Sequence, residues 1–178
     1  MTIVEPLNEK QISDIAYKLR DLIGMKKRYK FPIVEFVEQV LLEIDDTYGF
    51  NVAEIDDPEI AGMYAFYNPK ENEMTIRSDV YEQALNGDGT SRFTIAHELG
   101  HYILHRKGVR LCCISDDFEV SEKYDPEWQA NKFAGALLMP EYLIGNMSKE
   151  EVASIFGTSL QAAEISCNKG KKAKHNTA

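Results

Sequence analysis

The segment from Phe93 to Leu104, FTIAHELGHYIL, places two histidines and a glutamate within an otherwise apolar stretch. Its apolar residues recur at helical spacing, which predicts a helix packed against a core. His97 and His101 are four residues apart, so on a helix with about 3.6 residues per turn they project from nearly the same side. Two imidazoles placed in this way can bind one metal ion. The segment therefore predicts a core helix with a metal site at its edge.

Glu98 completes the H-E-x-x-H arrangement of zinc peptidases. It lies about 100° around the helix from His97, close enough to reach a metal-bound water without being a ligand. Zinc would polarise the scissile carbonyl and lower the pKa of that water to about 7, and Glu98 would act as general base. The alternative is a chance motif on a solvated helix face, and the apolar flanks, including Phe93 and Leu99, argue against it.

A second helix is predicted to begin at Asp125, which can cap it, with Pro126 at its first position and its end at Met139 and Pro140. Glu127 and Asn131 stand four residues apart on one face of this helix. Glu127 is the predicted third zinc ligand, and Asn131 is predicted to hydrogen-bond and orient a ligand histidine. The competing interpretation of Glu127 is a carboxylate that interacts favourably with the helix dipole.

The remaining pattern predicts an α+β fold with a small antiparallel sheet before the metal-binding helix. Two core-forming helices are expected over Glu9–Ile23 and from Pro32 to just before Gly49. Short strands are expected in FNVAEI from Phe50, MYAFY from Met63 and EMTIR from Glu73, the last two forming a hairpin. The metal-binding helix is expected to be capped by Thr90 and Ser91 and to run to about Arg106.

We expect three regions: a zincin-like domain over residues 1–140, a short helical subdomain over 141–168, and a basic flexible tail over 169–178. Ser148 and Glu151 form a capping box in the middle region, and the following helices resemble a helix-turn-helix. The second helix, LQAAEISCNK, has few side chains that could read bases, which favours a packing role over DNA binding. Lysines in KGKKAK make the tail basic, and we interpret this segment as a solvated end.

The net charge of -9 disfavours a protein that binds nucleic acid directly, since such proteins rely on clustered Lys and Arg. The three cysteines, Cys112, Cys113 and Cys167, are odd in number and two are adjacent, which is unfavourable for disulfides and fits a reducing compartment. The first residues lack a secretory pattern, and no apolar run approaches a membrane span. A cytoplasmic protein with no membrane contact is expected.

Other side chains could take part in the site. His105 continues the four-residue histidine series, and we expect an ordinary polar role at the helix end. Cys112 and Cys113 are also considered as ligands and are not needed by a site with two histidines and a carboxylate. Five tyrosines could donate to a developing oxyanion, and the sequence does not choose among Tyr64, Tyr67, Tyr102, Tyr124 and Tyr142.

Together, RFTIAHELGHYILH and EWQANKFAGALLMP resemble the ImmA/IrrE family of zinc metallopeptidases, whose pattern joins H-E-x-x-H to E-x-x-A-N-x-F-A-x-x-L-L-M-P. The resemblance covers roughly residues 8–165. It implies a zincin-like fold with zinc on His97, His101 and Glu127, and catalysis by Glu98. It also implies cleavage or inactivation of helix-turn-helix repressors of mobile elements or stress loci, so that the protein acts as an anti-repressor.

Three classes of function follow from these features. The first is a regulatory zinc endopeptidase that cleaves such a repressor. The second is a metal-dependent, antitoxin-like binding protein that sequesters its partner without cleaving it, and the third is a DNA-binding regulator with a vestigial site. For the endopeptidase, we expect the substrate to add as a strand to one edge of the predicted hairpin.

Overall fold

The computed structural model describes residues 2–106, 110–111 and 121–175, with side chains described for 4–106 and 121–168. Its helices are α1 (Glu9–Leu22), α2 (Ile33–Glu35), a π-helical turn (Phe36–Val40), α3 (Leu41–Ile44), α4 (Ser78–Leu85), α5 (Gly89–His105), α6 (Pro126–Leu138), α7 (Glu141–Ile144), α8 (Lys149–Phe156) and α9 (Leu160–His175). Its strands are β1 (Thr2–Ile3), β2 (Gly49–Ala53), β3 (Ala65–Asn68), β4 (Glu73–Arg77) and β5 (Arg110–Leu111), and 3-10 turns cover Pro58–Ile60 and Glu122–Tyr124. The α+β fold class is confirmed.

The first two predicted helices are present. Asn8 and Gln11 form a reciprocal capping box at the start of α1, which ends beside Gly24 at φ +73°. The second helix spans α2, the π-helical turn and α3. The π-helical turn adds a residue to the local repeat, and Ile44 at the end of α3 is 67% exposed.

The main sheet has the strand order β2–β4–β3. The predicted hairpin is confirmed, since β3 and β4 are antiparallel with Tyr67 opposite Met74. However, β2 runs parallel to β4, with Phe50 opposite Met74, so the sheet is mixed rather than wholly antiparallel. Residues 54–64 connect β2 to β3 on the far side of β4, and β3 then returns the chain so that β4 runs parallel to β2. A second, two-stranded sheet pairs β1 with β5.

Helix α5 begins one residue after Asp88, whose side chain accepts a hydrogen bond of 2.7 Å from the backbone N–H of Ser91. The predicted cap at Thr90 and Ser91 is therefore wrong by about one turn, because the aspartate before the glycine supplies the acceptor. Gly89 lies so close to the backbone of Thr158 and Ser159 that an added Cβ would clash with it. The segment between α8 and α9 is thereby packed onto the start of α5.

Helix α6 begins and ends as predicted, with the Asp125 side chain accepting a hydrogen bond of 3.0 Å from the backbone N–H of Glu127. Helices α5 and α6 cross closely at Gly100, where a Cβ would lie 3.0 Å from the Cα of Ala130. The close crossing is possible because Gly100 has no side chain. It brings the histidines of α5 next to the first two turns of α6.

One apolar core joins the sheet, α5, α6 and the helices after Pro140. Five apolar residues of the stretch EWQANKFAGALLMP are 0% exposed on α6: Ala130, Phe133, Ala134, Leu137 and Leu138. Val152, Phe156 and Ala163 join the same core from α8 and α9, and the capping box of Ser148 and Glu151 is present. The proposed division at residue 140 stays a prediction.

Several predicted features lie outside the described residues. They are Cys112, Cys113, most of the connection between the two predicted site helices, and the side chains of the 169–178 tail, although the backbone of α9 extends to His175. Within the described part of the chain, no helix has the length and apolarity needed to cross a bilayer.

Candidate metal centre

His97 and His101 lie one turn apart on α5 and direct their Nε2 atoms to the same point. The two Nε2 atoms are 3.0 Å apart, and both side chains are largely buried, at 16% and 17% exposure. The spacing predicted from the sequence is therefore realised as a converging pair of imidazole nitrogens at the edge of the core.

Glu127 reaches this pair from α6. Its Oε2 lies 3.1 Å from Nε2 of His97, and its Oε1 lies 3.4 Å from Nε2 of His101. These three residues can each offer one ligand atom within 4.8 Å of the other two. The Glu127 side chain is 64% exposed, so the site opens to solvent on the carboxylate side.

The three residues fit a tetrahedral metal ion. Zinc bonds of about 2.0 to 2.2 Å at tetrahedral angles place neighbouring ligand atoms about 3.3 Å apart, close to the three distances above. A carboxylate and two imidazole lone pairs that face one another would repel unless a cation lay between them. The donor set of two histidines and one carboxylate also leaves a fourth position open, as in catalytic zinc sites.

Protonation of His101 is disfavoured in the metal-free protein. Burial, together with smaller contributions from repulsion by His97 and His105, lowers the pKa of His101 to about 3. A metal ligand must be neutral imidazole with a free lone pair. His101 is therefore in the form that binds metal at physiological pH.

Asn131 lies where the sequence predicted it, one turn after Glu127 on α6. Its Oδ1 is 3.0 Å from Nδ1 of His97. An amide oxygen can only accept a hydrogen bond, so Nδ1 of His97 donates and its Nε2 keeps the lone pair. This contact orients His97 toward Glu127 and the candidate metal position.

His105 and Gln129 form part of the same cluster, and the sequence did not predict this role for either. Nδ1 of His105 lies 2.9 Å from Nδ1 of His101, and Nε2 of His105 lies 3.0 Å from Oε1 of Gln129. His105 is 4% exposed and Gln129 is 0% exposed. In the sequence, His105 is indicated only by its position four residues after His101, and Gln129 only by its position two residues after Glu127.

Glu98 is half-buried beside the metal ligands, and its carboxylate is fixed by the sheet. Oε2 of Glu98 accepts a hydrogen bond of 2.9 Å from the backbone N–H of Tyr67. The pKa of the Glu98 carboxyl is raised to about 8, chiefly by burial; the hydrogen bond from the Tyr67 N–H opposes this rise, and the negative charge of Glu127 adds to it. A carboxyl held in this way is suited to accept and release a proton near neutral pH.

The contact with Glu98 also identifies the outer edge of the sheet. Strand β3 is an edge strand, and the Arg77 N–H donates to the Tyr64 carbonyl across its inner side. Because backbone groups alternate in direction along a strand, the N–H groups of Ala65 and Tyr67 point away from β4. Among the described residues no strand pairs with this outer edge of β3, which runs beside Glu98.

Two of the five candidate tyrosines donate their hydroxyl groups elsewhere. The Tyr67 hydroxyl donates to Oδ1 of Asn72 at 2.7 Å, and the Tyr102 hydroxyl donates to Oδ2 of Asp45 at 2.7 Å. Burial raises the pKa of both tyrosines. Because Nδ2 of Asn72 also donates to Oδ2 of Asp45 at 3.1 Å, these hydrogen bonds together link the hairpin to α5. The structure places the remaining three as follows: Tyr64 lies beneath Arg77, Tyr142 packs edge-on against Tyr17, and Tyr124 is 39% exposed before the cap of α6.

Comparison with known proteins agrees with this geometry. Residues 46–168 match the model of the Peptidase M78 family, described as the IrrE N-terminal-like domain, and this range includes both helices that form the site. A search among curated proteins finds no match to the chain. The family match supports a metallopeptidase-type function and confirms the resemblance to ImmA/IrrE proteins. With more than half of its length matched, the chain belongs to the Peptidase M78 family.

Proposed function

We propose that the protein is a zinc-dependent endopeptidase. The proposal rests mainly on one observation: potential metal-ligand atoms of His97, His101 and Glu127 converge beside the carboxylate of Glu98. The three converging residues would hold zinc, and Glu98 is left to handle protons. When bound, zinc would supply Lewis acidity that polarises a peptide carbonyl and acidifies a water molecule.

Glu98 has two tasks in this proposal. It accepts a proton from the attacking water, and it then donates that proton to the nitrogen of the leaving peptide. The N–H of Tyr67 holds Oε2, so the other carboxylate oxygen is available for proton transfer. Because the N–H belongs to a strand backbone, this orientation does not depend on the rotamer of another side chain.

We infer that the substrate binds as an extended segment along the outer edge of β3. The outward N–H of Ala65 and the neighbouring outward carbonyl groups can pair with such a segment, and the edge leads directly to Glu98. Our expectation that the hairpin supplies this edge therefore applies to β3 alone. Strand β4 is central, so its Thr75 and Ile76 are paired on both sides and provide no docking edge.

The proposed substrate is a regulatory protein, specifically a helix-turn-helix repressor, and the proposed location is the cytoplasm. This part of the proposal rests on the resemblance to the ImmA/IrrE family and on charge. A net charge of -9 favours encounter with a basic partner, and DNA-binding repressors are basic on the face that contacts phosphates. The same charge supports the expectation that the protein does not itself bind nucleic acid.

The test uses the zinc-loaded protein and a purified helix-turn-helix repressor encoded beside its gene. Wild type, Glu98→Gln and His97→Ala are incubated with the repressor, and fragments are identified by mass spectrometry. We expect discrete fragments with wild type alone. If repressor binds tightly to wild type and to Glu98→Gln but stays intact with both, sequestration replaces proteolysis as the function.

A further inference from the structure

His105 occupies a buried position between a candidate metal ligand and a buried amide. It is one turn beyond His101 on α5, and the two rings have centroids 5.1 Å apart. One ring nitrogen of His105 faces His101 and the other faces Gln129. Neither ring nitrogen is directed at the point where His97, His101 and Glu127 converge. His105 is therefore placed to act on His101 rather than on the metal.

The backbone determines how the Gln129 amide is oriented. Its Nε2 donates hydrogen bonds of 2.8 Å and 2.7 Å to the carbonyl oxygens of Glu5 and Lys123. Carbonyl oxygens only accept, so the amide nitrogen must face them, and both of its hydrogens are used. Oε1 of Gln129 must then face His105, and it can only accept. Nε2 of His105 consequently carries a proton.

This proton position determines the next one. A neutral imidazole has one N–H and one acceptor nitrogen, so with Nε2 of His105 protonated its Nδ1 is the acceptor. Nδ1 of His101, 2.9 Å away, must then be the donor. His101 is left with its lone pair on Nε2, the atom that faces His97 and Glu127. The chain of hydrogen bonds thus selects the tautomer that can bind metal.

We propose that His105 is a positioning residue that, together with Gln129, fixes the tautomer and ring orientation of His101. Gln129 in turn is held by the carbonyl groups of Glu5 and Lys123, so the segment before α1 and the turn before α6 support the same ligand. Asn131 performs the equivalent task for His97. Partners that hold the second nitrogen of a metal-binding histidine typically contribute about 10- to 100-fold in metal affinity.

The first test needs neither a variant nor a metal. Long-range proton–nitrogen NMR spectra of the metal-free wild type, labelled with 15N-histidine, report which nitrogen of each ring is protonated. The chain has four histidines, so the spectrum contains signals from only four imidazole rings. We expect a proton on Nδ1 of His101 and on Nε2 of His105 at neutral pH. A proton on Nε2 of His101 would overturn the proposal.

The second test measures Zn²⁺ affinity by competition with a chelator for wild type, His105→Phe, His105→Gln and His97→Ala. Phenylalanine provides an aromatic ring without either nitrogen, whereas glutamine provides an acceptor oxygen and a donor NH₂ group. We expect His105→Phe to bind Zn²⁺ about 10- to 100-fold more weakly and His105→Gln to recover most of that loss. A folded His105→Phe protein with wild-type affinity would refute the relay.

The inference rests on the proposed metal site but not on proteolysis. If wild type and His97→Ala bind Zn²⁺ equally, the proposed function fails at its metal site. The NMR measurement then still decides whether His105 sets the His101 tautomer. If zinc binds as proposed and only the His105→Phe result disagrees, the proposed function stands and the relay is wrong.

Discussion

Replacing Gly100 with alanine separates helix propensity from the close crossing that forms the metal site. An alanine Cβ at this position would lie 3.0 Å from the Cα of Ala130 and 3.1 Å from its carbonyl oxygen. Comfortable contacts between carbon atoms are about 3.5 to 4.0 Å, so α5 and α6 must separate by roughly 0.5 to 1 Å. Glu127 lies three residues before Ala130 on α6 and would move with it.

Two opposing terms set the expected stability. Glycine to alanine inside a helix gains about 1 kcal/mol of propensity, and overpacking in a tight core typically costs about 1 to 3 kcal/mol. We therefore expect the metal-free Gly100→Ala protein to range from about neutral to about 2 kcal/mol less stable. Metal ligands must be placed to within about 0.2 Å, so Zn²⁺ affinity should fall by about tenfold or more.

Gly135→Ala is the matched control. Gly135 lies inside a helix, α6, as Gly100 lies inside α5, but an added Cβ at Gly135 would meet nothing within 4 Å. It should gain about 1 kcal/mol and keep wild-type Zn²⁺ affinity. Urea unfolding in a chelating buffer measures the stabilities, and chelator competition measures the affinities. The reasoning about the crossing is refuted if Gly100→Ala matches Gly135→Ala in both measurements.

Three further predictions concern the catalytic carboxylate, a buried network and the sheet edge. Glu98→Gln should keep Zn²⁺ and lose cleavage by about 10²- to 10⁴-fold, and cleavage at the wild-type rate would exclude Glu98 as general base. The hydrogen bond from Tyr102 holds the pKa of Asp45 well below its usual range. Ionised Asp45 therefore stabilises the fold at pH values above its unfolded-state pKa of about 3.9, and this stabilisation is lost as the pH falls below that value. Asp45→Asn should therefore be less stable than wild type at pH 7, and the difference in their free energies of unfolding in urea should be smaller at about pH 3. The same difference at both pH values would contradict this. Ala65→Pro should still fold but should cleave poorly, because it removes an N–H that points away from the sheet. Phe66→Pro should unfold, because the Phe66 N–H pairs with β4. Normal cleavage by Ala65→Pro would exclude β3 as the docking edge.

The local parts of the site could be predicted from the sequence. His97 and His101 share one face of α5 because helical spacing alone places residues four apart together. The same rule pairs Glu127 with Asn131, and the cap at Asp125 sets where α6 begins. The distances between ligand atoms on α5 and those on α6 could not be predicted, because they depend on how closely the two helices approach at Gly100.

Only the tertiary structure decided which strand borders the site and which groups hold the functional side chains. Whether β3 or β4 lies at the edge depends on where β2 pairs, and such pairing over a long sequence separation leaves no periodic signal. The contact of Tyr67 with Glu98, and that of Gln129 with His105, join elements far apart in the chain. Helical and cap signals involve neighbours within about one turn, so the sequence alone determined the candidate ligands. Their orientation and proton positions depend on buried hydrogen bonds that form only when those separate elements pack together.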